Sequence, residues 1–162
     1  MIRERRVQDL DRLGAVLAAL PESASTLDGT TARDWLTEHD AEQSWVFDSA
    51  PLTVAPTKNV VGHVQMYTPA DRVWTPAVVD LTGRSAGELL AISKLFVKPS
   101  GHDYGIARFL FKESVRYIQS HGKLAVLDLA ESPFLSRDFC RKFGFGDLPG
   151  ARPDAGLMVY TG

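Results

Sequence analysis

A strand–helix–strand unit over residues 89–130 constrains the fold of this chain more than any other feature of its sequence. Residues 89–97 form a mostly apolar run that is typical of a buried strand. From residue 104 to about residue 120 the apolar side chains recur at helical spacing, and residues 124–130 predict a second short strand. A helix of this length between two strands is typical of a right-handed parallel crossover. The unit therefore predicts a mixed α/β fold.

Periodicity and turn residues predict the other elements. Strands are expected at residues 2–6, 44–48, 60–67, 143–148 and 157–160, and helices at residues 10–20, 30–40 and 133–142. Within the strand 60–67, the side chains of His63, Gln65 and Tyr67 share one face. Residues 68–87 are long for a connection between neighbouring strands, which is typical of a functional loop, a disordered segment or a small added hairpin.

Composition and charge narrow the class of protein. The length of 162 residues fits one domain, residues 1–162. The formal charge of −2 shows no excess of basic residues, which argues against nucleic-acid binding. A single cysteine, Cys140, rules out an internal disulfide. No apolar run reaches the ~18 residues that a membrane span requires, and the first residues do not resemble a secretory signal. The four histidines lack the spacing of metal ligands. We therefore expect a cytoplasmic protein with no metal and no membrane partner.

The loop before the central helix has the features of an anion site. Gly101 and Gly105 stand where the chain passes from strand into helix. Exposed N–H groups and the positive end of the helix dipole attract phosphate at such a point, and a glycine in the first turn lets the phosphate approach the backbone. Lys98, His102 and Arg108 can add positive charge. The loop is not of the Walker type, because no Gly-Lys-Ser/Thr sequence follows.

Two spaced motifs resemble those of one known family. The pattern His102-x-x-Gly105-x-Ala107 resembles the (Gln/Arg)-x-x-Gly-x-(Gly/Ala) motif of the GCN5-related N-acetyltransferase (GNAT) family. The segment 139–145, Phe-Cys-Arg-Lys-Phe-Gly-Phe, is similar to the family's Phe-Tyr-x-Lys-x-Gly-Phe ending. The separation of the two motifs is also typical of the family, and together they cover about residues 88–146. The chain is identified on these residues as a member of the GNAT family.

The resemblance implies a fold and a coenzyme. The family has a mixed sheet of six or seven strands flanked by about four helices, and its fourth and fifth strands, here about 88–98 and 124–130, splay apart to admit the pantetheine arm of acetyl-CoA. Backbone groups of Leu95, Phe96 and Val97 are expected to pair with the pantetheine. The pyrophosphate is expected on the N–H groups of the loop and helix start, which comprise His102, Asp103, Tyr104, Gly105, Ile106, Ala107 and Arg108.

The family reaction is direct attack of a substrate amine on the acetyl thioester, which requires a base for the amine proton. Glu88, near the start of the fourth strand, is the nearest match to the family's usual glutamate, and His63, Glu131 and Asp80 are alternatives. Many members protonate the leaving thiolate with a tyrosine. Cys140 stands at that position here, and Tyr104 and Tyr67 are possible replacements.

The predicted function is acetyl-CoA-dependent N-acetylation of a primary amine in a ternary complex. The acceptor is expected to be a small-molecule amine or a peptide amine, bound by the 21–40 region, the 68–87 insertion and the C-terminal strands, with Trp74 as a pocket wall. The alternative is a non-catalytic acyl-CoA sensor or partner-binding module of the same fold, which the cysteine at position 140 and the histidine at position 102 favour. A homodimer is possible, as the family often forms dimers.

Overall fold

The computed structural model of the chain describes residues 1–21, 23–49, 59–148 and 156–162. Its strands are β1 (Ile2–Glu4), β2 (Gln43–Asp48), β3 (Val60–Tyr67), β4 (Leu89–Val97), β5 (Leu124–Asp128), β6 (Phe145–Asp147) and β7 (Leu157–Tyr160). They form one sheet in the order β1-β2-β3-β4-β5-β7-β6. Only the central pair, β4 and β5, is parallel within this sheet. The prediction of a mixed α/β fold with six or seven strands is thereby confirmed.

Among the described residues, six helices flank the sheet: α1 (Asp9–Ala18), α2 (Ser23–Leu27), α3 (Ala32–Leu36), α4 (Thr75–Thr82), α5 (Asp103–Ser120) and α6 (Arg137–Lys142). Short 3₁₀ turns cover residues 86–88 and 129–131. The side chains of Thr31 and Ser136 cap α3 and α6 by accepting the N–H groups of Asp34 and Phe139. α5 is the crossover between β4 and β5, as the strand–helix–strand unit predicts.

The predicted insertion at residues 68–87 contains a helix. α4 occupies Thr75–Thr82, begins with Pro76 in its first turn and buries Val78 against the sheet. The sequence favours a loop or a hairpin there, because a short Ala-Val-Val run carries little helical periodicity. The helix ends at Gly83, whose φ of 71° is the left-handed conformation that commonly closes a helix.

The two faces of the sheet carry different cores. The α5 face buries Val64, Met66, Leu110 and Phe111 in one cluster. The opposite face is covered by α1 and α3 at one end and by α4 at the other. Along β3, the predicted alternation holds, since Val64 and Met66 face α5 and Tyr67 packs on the other side.

β4 contains a bulge that the sequence does not indicate. Lys94 has a φ of 53°, and the pairing with β3 shifts between His63↔Phe96 and Gln65↔Ser93. Two residues of β4 therefore face one residue of β3 at this point. The parallel pairing of β4 with β5 extends only from Leu89 to Ala91, so the two strands part three residues before Lys94.

The turn between α6 and β6 depends on Gly144. Its φ is 97°, and a Cβ placed there would lie 2.7 Å from Cε2 of Tyr160. We expect Gly144→Ala to lower the free energy of unfolding by more than the ~1–2 kcal/mol that a left-handed non-glycine residue costs, because the ring must also move. Chemical denaturation monitored by circular dichroism measures the difference.

Gly122→Ala is the matched control for this prediction. Gly122 has a φ of 68° but no atom within 4 Å of its Cβ position, so only the backbone cost applies. Equal losses of stability in the two variants would contradict a role for the contact with Tyr160.

Candidate active site

A cleft opens where β4 and β5 part. Its volume is about 360 Å³, and its walls come from the segment just after α1, the second half of β4, the first turns of α5 and the segment that leads into α6. The lining residues are Leu20, Pro21, Leu95, Phe96, Val97, Pro99, Asp103, Tyr104, Ala107, Phe134, Leu135, Ser136 and Phe139. Beyond Ala91, within the described residues, β4 is paired on its β3 side only. The strand edge that faces the cleft can therefore pair with an extended ligand.

The first turn of α5 forms the end of this cleft. The first helical hydrogen bond runs from the Ile106 N–H to the His102 carbonyl, and the N–H groups of Asp103 and Gly105 have no acceptor among the described residues. No atom lies within 4 Å of a Cβ placed on Gly105. The N-terminus of an 18-residue helix with free N–H groups and open space attracts an anion.

The predicted coenzyme residues lie on this cleft or beside it. Six of them line the cleft itself: Leu95, Phe96, Val97, Asp103, Tyr104 and Ala107. An adjoining pocket is lined by His102, Gly105 and Ile106, together with Met1, Phe47 and Phe109. Arg108 is exposed on the second turn of α5, with its guanidinium 5.9 Å from the centre of the Phe143 ring. These residues fit a ligand that combines an extended chain with a phosphate.

A buried carboxylate lies at the point where the strands separate. Tyr67 pairs in register with Ala91, the last residue of β4 that also pairs with β5. The small alanine side chain lets the Tyr67 ring extend toward β5, where its hydroxyl donates to Glu131 at 2.6–2.7 Å. Arg72 forms an ion pair with the same carboxylate at 2.6 Å. Glu131 was an alternative base in the sequence analysis, and the structure brings it together with Tyr67.

The surroundings of this pair shift both of its pKa values. Burial raises the pKa of Glu131, although the Tyr67 hydroxyl and the Arg72 guanidinium act in the opposite direction. Burial and the neighbouring carboxylate also raise the pKa of Tyr67 well above its usual value. The glutamate is thus a stronger base than an exposed one, and the phenol keeps its proton.

A second ion pair, between the buried Lys94 and the exposed Glu38, lies on the same face of the sheet. The Lys94 ammonium contacts Glu38 at 2.7 Å, donates to the Trp35 carbonyl and lies 4.5 Å from the centre of the Trp35 ring. Burial lowers the pKa of Lys94, against the effect of Glu38. His39 follows Glu38 and stacks on Tyr67 at 4.2 Å, so the two ion pairs are neighbours. Sequence patterns did not single out Glu38, His39, Arg72 or Lys94.

His63 supports the bulge and does not reach the cleft. It is fully buried, with Nδ1 2.8 Å from the Lys94 carbonyl and Nε2 3.1 Å from a guanidinium nitrogen of Arg5. Because arginine only donates, Nε2 must accept and Nδ1 must carry the proton. Burial, with Arg5 adding to it, lowers the pKa of His63 to about 3. Both ring nitrogens are occupied, so this histidine holds no lone pair for a substrate proton.

The other two predicted catalytic residues also lie away from the cleft lining. Cys140 is fully buried in the core of the α5 face, and burial raises its pKa to about 12. Glu88 is half exposed, accepts hydrogen bonds from Ser85 and lies at the start of β4, ~20 Å along the strand from Leu95. Asp80 is exposed on α4. The structure does not bring these three side chains together.

Metal-binding and membrane-spanning features are absent from the part of the chain that the structure describes. No group of three or more possible metal ligands occurs among the described residues. Within the same part of the chain, no helix is long and apolar enough to cross a membrane.

Comparison with known proteins adds family information to this geometry. The model of the acetyltransferase (GNAT) family matches residues 16–145. No functionally curated protein matches the sequence significantly. A solved GNAT family N-acetyltransferase (YhbS) from Escherichia coli, in complex with CoA, is 17% identical, with a TM-score of 0.60 over 99% of this chain and 79% of that chain.

Two other solved structures have the same fold. NAA60 from Arabidopsis thaliana, in complex with a bisubstrate analogue, is 20% identical with a TM-score of 0.59, over 99% of this chain and 95% of that one. The PaiA N-acetyltransferase from Thermoplasma acidophilum, in complex with coenzyme A, is 14% identical with a TM-score of 0.58, over 100% of this chain and 98% of that chain. Since the family model spans most of the sequence and the fold agrees with it, the chain belongs to the GNAT acetyltransferase family.

Proposed function

We propose that the protein is an acetyl-CoA-dependent N-acetyltransferase that moves the acetyl group to a primary amine in a ternary complex. The observation that carries this proposal is the parting of β4 and β5 beyond Ala91, which opens a cleft that reaches the start of α5. The buried Glu131 follows the end of β5, outside the residues that line this cleft. A phosphate site in the cleft and a buried base near the end of β5 are what a reaction between acetyl-CoA and an amine needs.

The coenzyme is proposed to lie along the free edge of β4. Backbone groups of Leu95, Phe96 and Val97 would pair with the pantetheine amides, since no other strand pairs with this edge in the described structure. The Leu95 N–H, which donates a long hydrogen bond of 3.4 Å to the Ser132 hydroxyl, would exchange that partner for the ligand. The N–H groups of Asp103 and Gly105 would bind the pyrophosphate, with Lys98 and Arg108 adding positive charge.

Glu131 is the proposed base. The amine nitrogen attacks the thioester carbonyl, the C–N bond forms, the C–S bond breaks, and the amine proton passes to the Glu131 carboxylate. Burial favours this role because it raises the pKa of Glu131. Tyr67 orients the carboxylate by donating to it. Since its own pKa is raised, Tyr67 is a poor proton donor to the thiolate, which solvent can protonate instead.

The proposed function is tested by titrating the protein with acetyl-CoA in a calorimeter and then assaying CoA release against a panel of amines. Micromolar-range binding followed by amine-dependent release is expected. Binding without release on any amine would favour the alternative, a non-catalytic acyl-CoA sensor, which the burial of Cys140 away from the cleft also supports. Absence of binding would contradict both.

Gly105→Ala tests the phosphate site. An alanine at this first-turn position of α5 meets no atom within 4 Å, so we expect a stability equal to or above that of the wild type. Its methyl group should keep a phosphate from the backbone, raising the Kd for acetyl-CoA by ~10-fold, equivalent to ~1.4 kcal/mol. Calorimetry and thermal melting measure the two effects.

Gly87→Ala is the control for this variant. Its Cβ position is also open, and it lies in the 3₁₀ turn at residues 86–88, outside the cleft. An unchanged affinity of Gly105→Ala for acetyl-CoA would show that the pyrophosphate does not bind at the start of α5.

Glu131→Gln tests the base. It should lower kcat by ~10²–10⁴-fold and leave the Kd for acetyl-CoA unchanged, because only proton transfer is lost. Glu88→Gln is the matched control, with no effect expected.

Tyr67→Phe removes a hydrogen bond that lowers the pKa of Glu131. Because the base must be deprotonated, the rising limb of kcat/KM against pH should move to higher pH in that variant.

Stopped-flow CoA release over a pH series measures these changes. If Glu88→Gln lost activity and Glu131→Gln kept it, the base would be reassigned to Glu88.

A further inference from the structure

The cleft has an apolar wall on the face of the sheet opposite α5. Four residues that line the cleft form this apolar wall: Leu20, Pro21, Phe96 and Phe134. All of them except Pro21 belong to the core cluster that α1 and α3 cover. Leu95 and Val97, which also line the cleft, belong to the cluster that α5 covers. The cleft is therefore lined from both faces of the sheet.

The apolar wall is an aromatic surface that is already packed. The ring of Phe96 lies 6.1 Å from the ring of Phe134, at an interplanar angle of 61°. Behind it, the Phe96 ring contacts Trp35 at 6.1 Å and stacks on His63 at 5.3 Å. Phe134 is only half-buried and Pro21 is exposed, so a ligand in the cleft can reach the wall through these two side chains.

The proposed coenzyme does not need this wall. Its pantetheine is proposed to pair with the backbone of residues 95–97, and hydrogen bonds to a strand edge lie in the plane of the sheet. Its pyrophosphate is proposed at the start of α5. The side chains of Phe96 and Phe134 lie on the other face, where the second substrate remains to be placed.

A short segment connects the apolar wall with the proposed base. Glu131 and Phe134 are three positions apart, so their Cα atoms are separated by at most ~11 Å. The Leu95 N–H donates to the Ser132 hydroxyl, which fixes this segment to β4. Tyr67, the hydrogen-bond partner of Glu131, packs on the same face of the sheet as the wall. One small molecule can therefore contact both the carboxylate and the wall.

The charges around the cleft argue against an acceptor with several positive charges. Asp103, at the start of α5, is the only charged residue among those that line the cleft in the described structure. On the other face, Glu131 is paired with Arg72. A polyamine or an aminoglycoside would need a carboxylate for each additional ammonium group. An apolar wall instead stabilises an apolar group that leaves water.

We infer that the acceptor is a monoamine with an aromatic group, which packs against Phe96 and Phe134 while the amine reaches Glu131. This inference rests on the proposed function and specifies the acceptor class of that reaction. The chemistry is shared by free arylalkylamines and by a peptide whose N-terminal residue is aromatic.

The test compares wild type with Phe134→Leu, which removes the ring and keeps an apolar side chain. The acceptors are phenethylamine, ethylamine, spermidine and two tetrapeptides, one with N-terminal phenylalanine and one with N-terminal alanine. The measured quantity is kcat/KM for CoA release, taken as the ratio of wild type to variant, so that differences in the amines' own pKa values cancel. Calorimetry gives the Kd for acetyl-CoA, and thermal melting gives the stability of each protein.

Two further variants complete the comparison. Phe143→Leu is the matched control, because Phe143 is also half-buried but does not line the cleft. Phe134→Met replaces the ring by a flexible apolar chain and provides the same comparison if Phe134→Leu does not fold.

We expect wild type to prefer phenethylamine over ethylamine and over spermidine by ~10-fold or more in kcat/KM. Phe134→Leu should lower kcat/KM for phenethylamine by ~5–10-fold and that for ethylamine by less than ~2-fold, with an unchanged Kd for acetyl-CoA. Phe143→Leu should leave the relative rates of the amines unchanged. A loss confined to phenethylamine assigns the source as a free amine, and one confined to the peptide with N-terminal phenylalanine assigns it as a peptide.

Other results overturn the inference. Equal losses on phenethylamine and ethylamine, or a raised Kd for acetyl-CoA without a change in the relative rates, would assign the wall to the coenzyme or to the core and leave the proposed acetyltransferase intact. A wild-type preference for spermidine would exclude the aromatic monoamine. Absence of CoA release with all of these acceptors and the wider amine panel would end the proposed function and this inference together.

Discussion

The bulge at Lys94 is the feature on which the rest of the site depends. Without the extra residue, a strand alternating from Ile92 would direct the lysine into the apolar core against α5. With it, the ammonium lies on the opposite face beside Trp35, while Leu95 turns back toward α5. The left-handed φ of a non-glycine residue costs ~1–3 kcal/mol and persists only where the surroundings impose it.

The residues that impose this conformation on Lys94 come from positions distant in the sequence. His63 donates from Nδ1 to the Lys94 carbonyl, and Arg5, from the segment after β1, fixes its tautomer. Glu38 holds the ammonium of the same lysine. The histidine must stay neutral for this arrangement, and its lowered pKa is a consequence of that burial. The histidine is thus a support for β4, which is a different role from the base that its residue type suggests.

The sequence predicts the elements of the proposed coenzyme half of the site better than those of the proposed acceptor half. β4 and α5 are local features: a hydrophobic run, two glycines and helical spacing determine them, and the structure has them within one residue of the predicted bounds. The acceptor half depends on contacts distant in sequence. Tyr67 and Glu131 meet across 64 positions, and the helix α4 forms where local periodicity favours a loop. Patterns within a window of residues carry no information about such pairs.

The charges of the acceptor half are balanced by the protein itself. The buried Glu131 is paired with Arg72, and the buried Lys94 is paired with the exposed Glu38, which limits the cost of burying each of these two charges. Lys94 is nearly inaccessible, whereas the side chain of Arg72 is 39% exposed. An exposed cation can exchange for another at low cost, and a buried one cannot. Of the two carboxylates, Glu131 is therefore the one whose partner can be replaced at low cost, which agrees with its proposed role as the base.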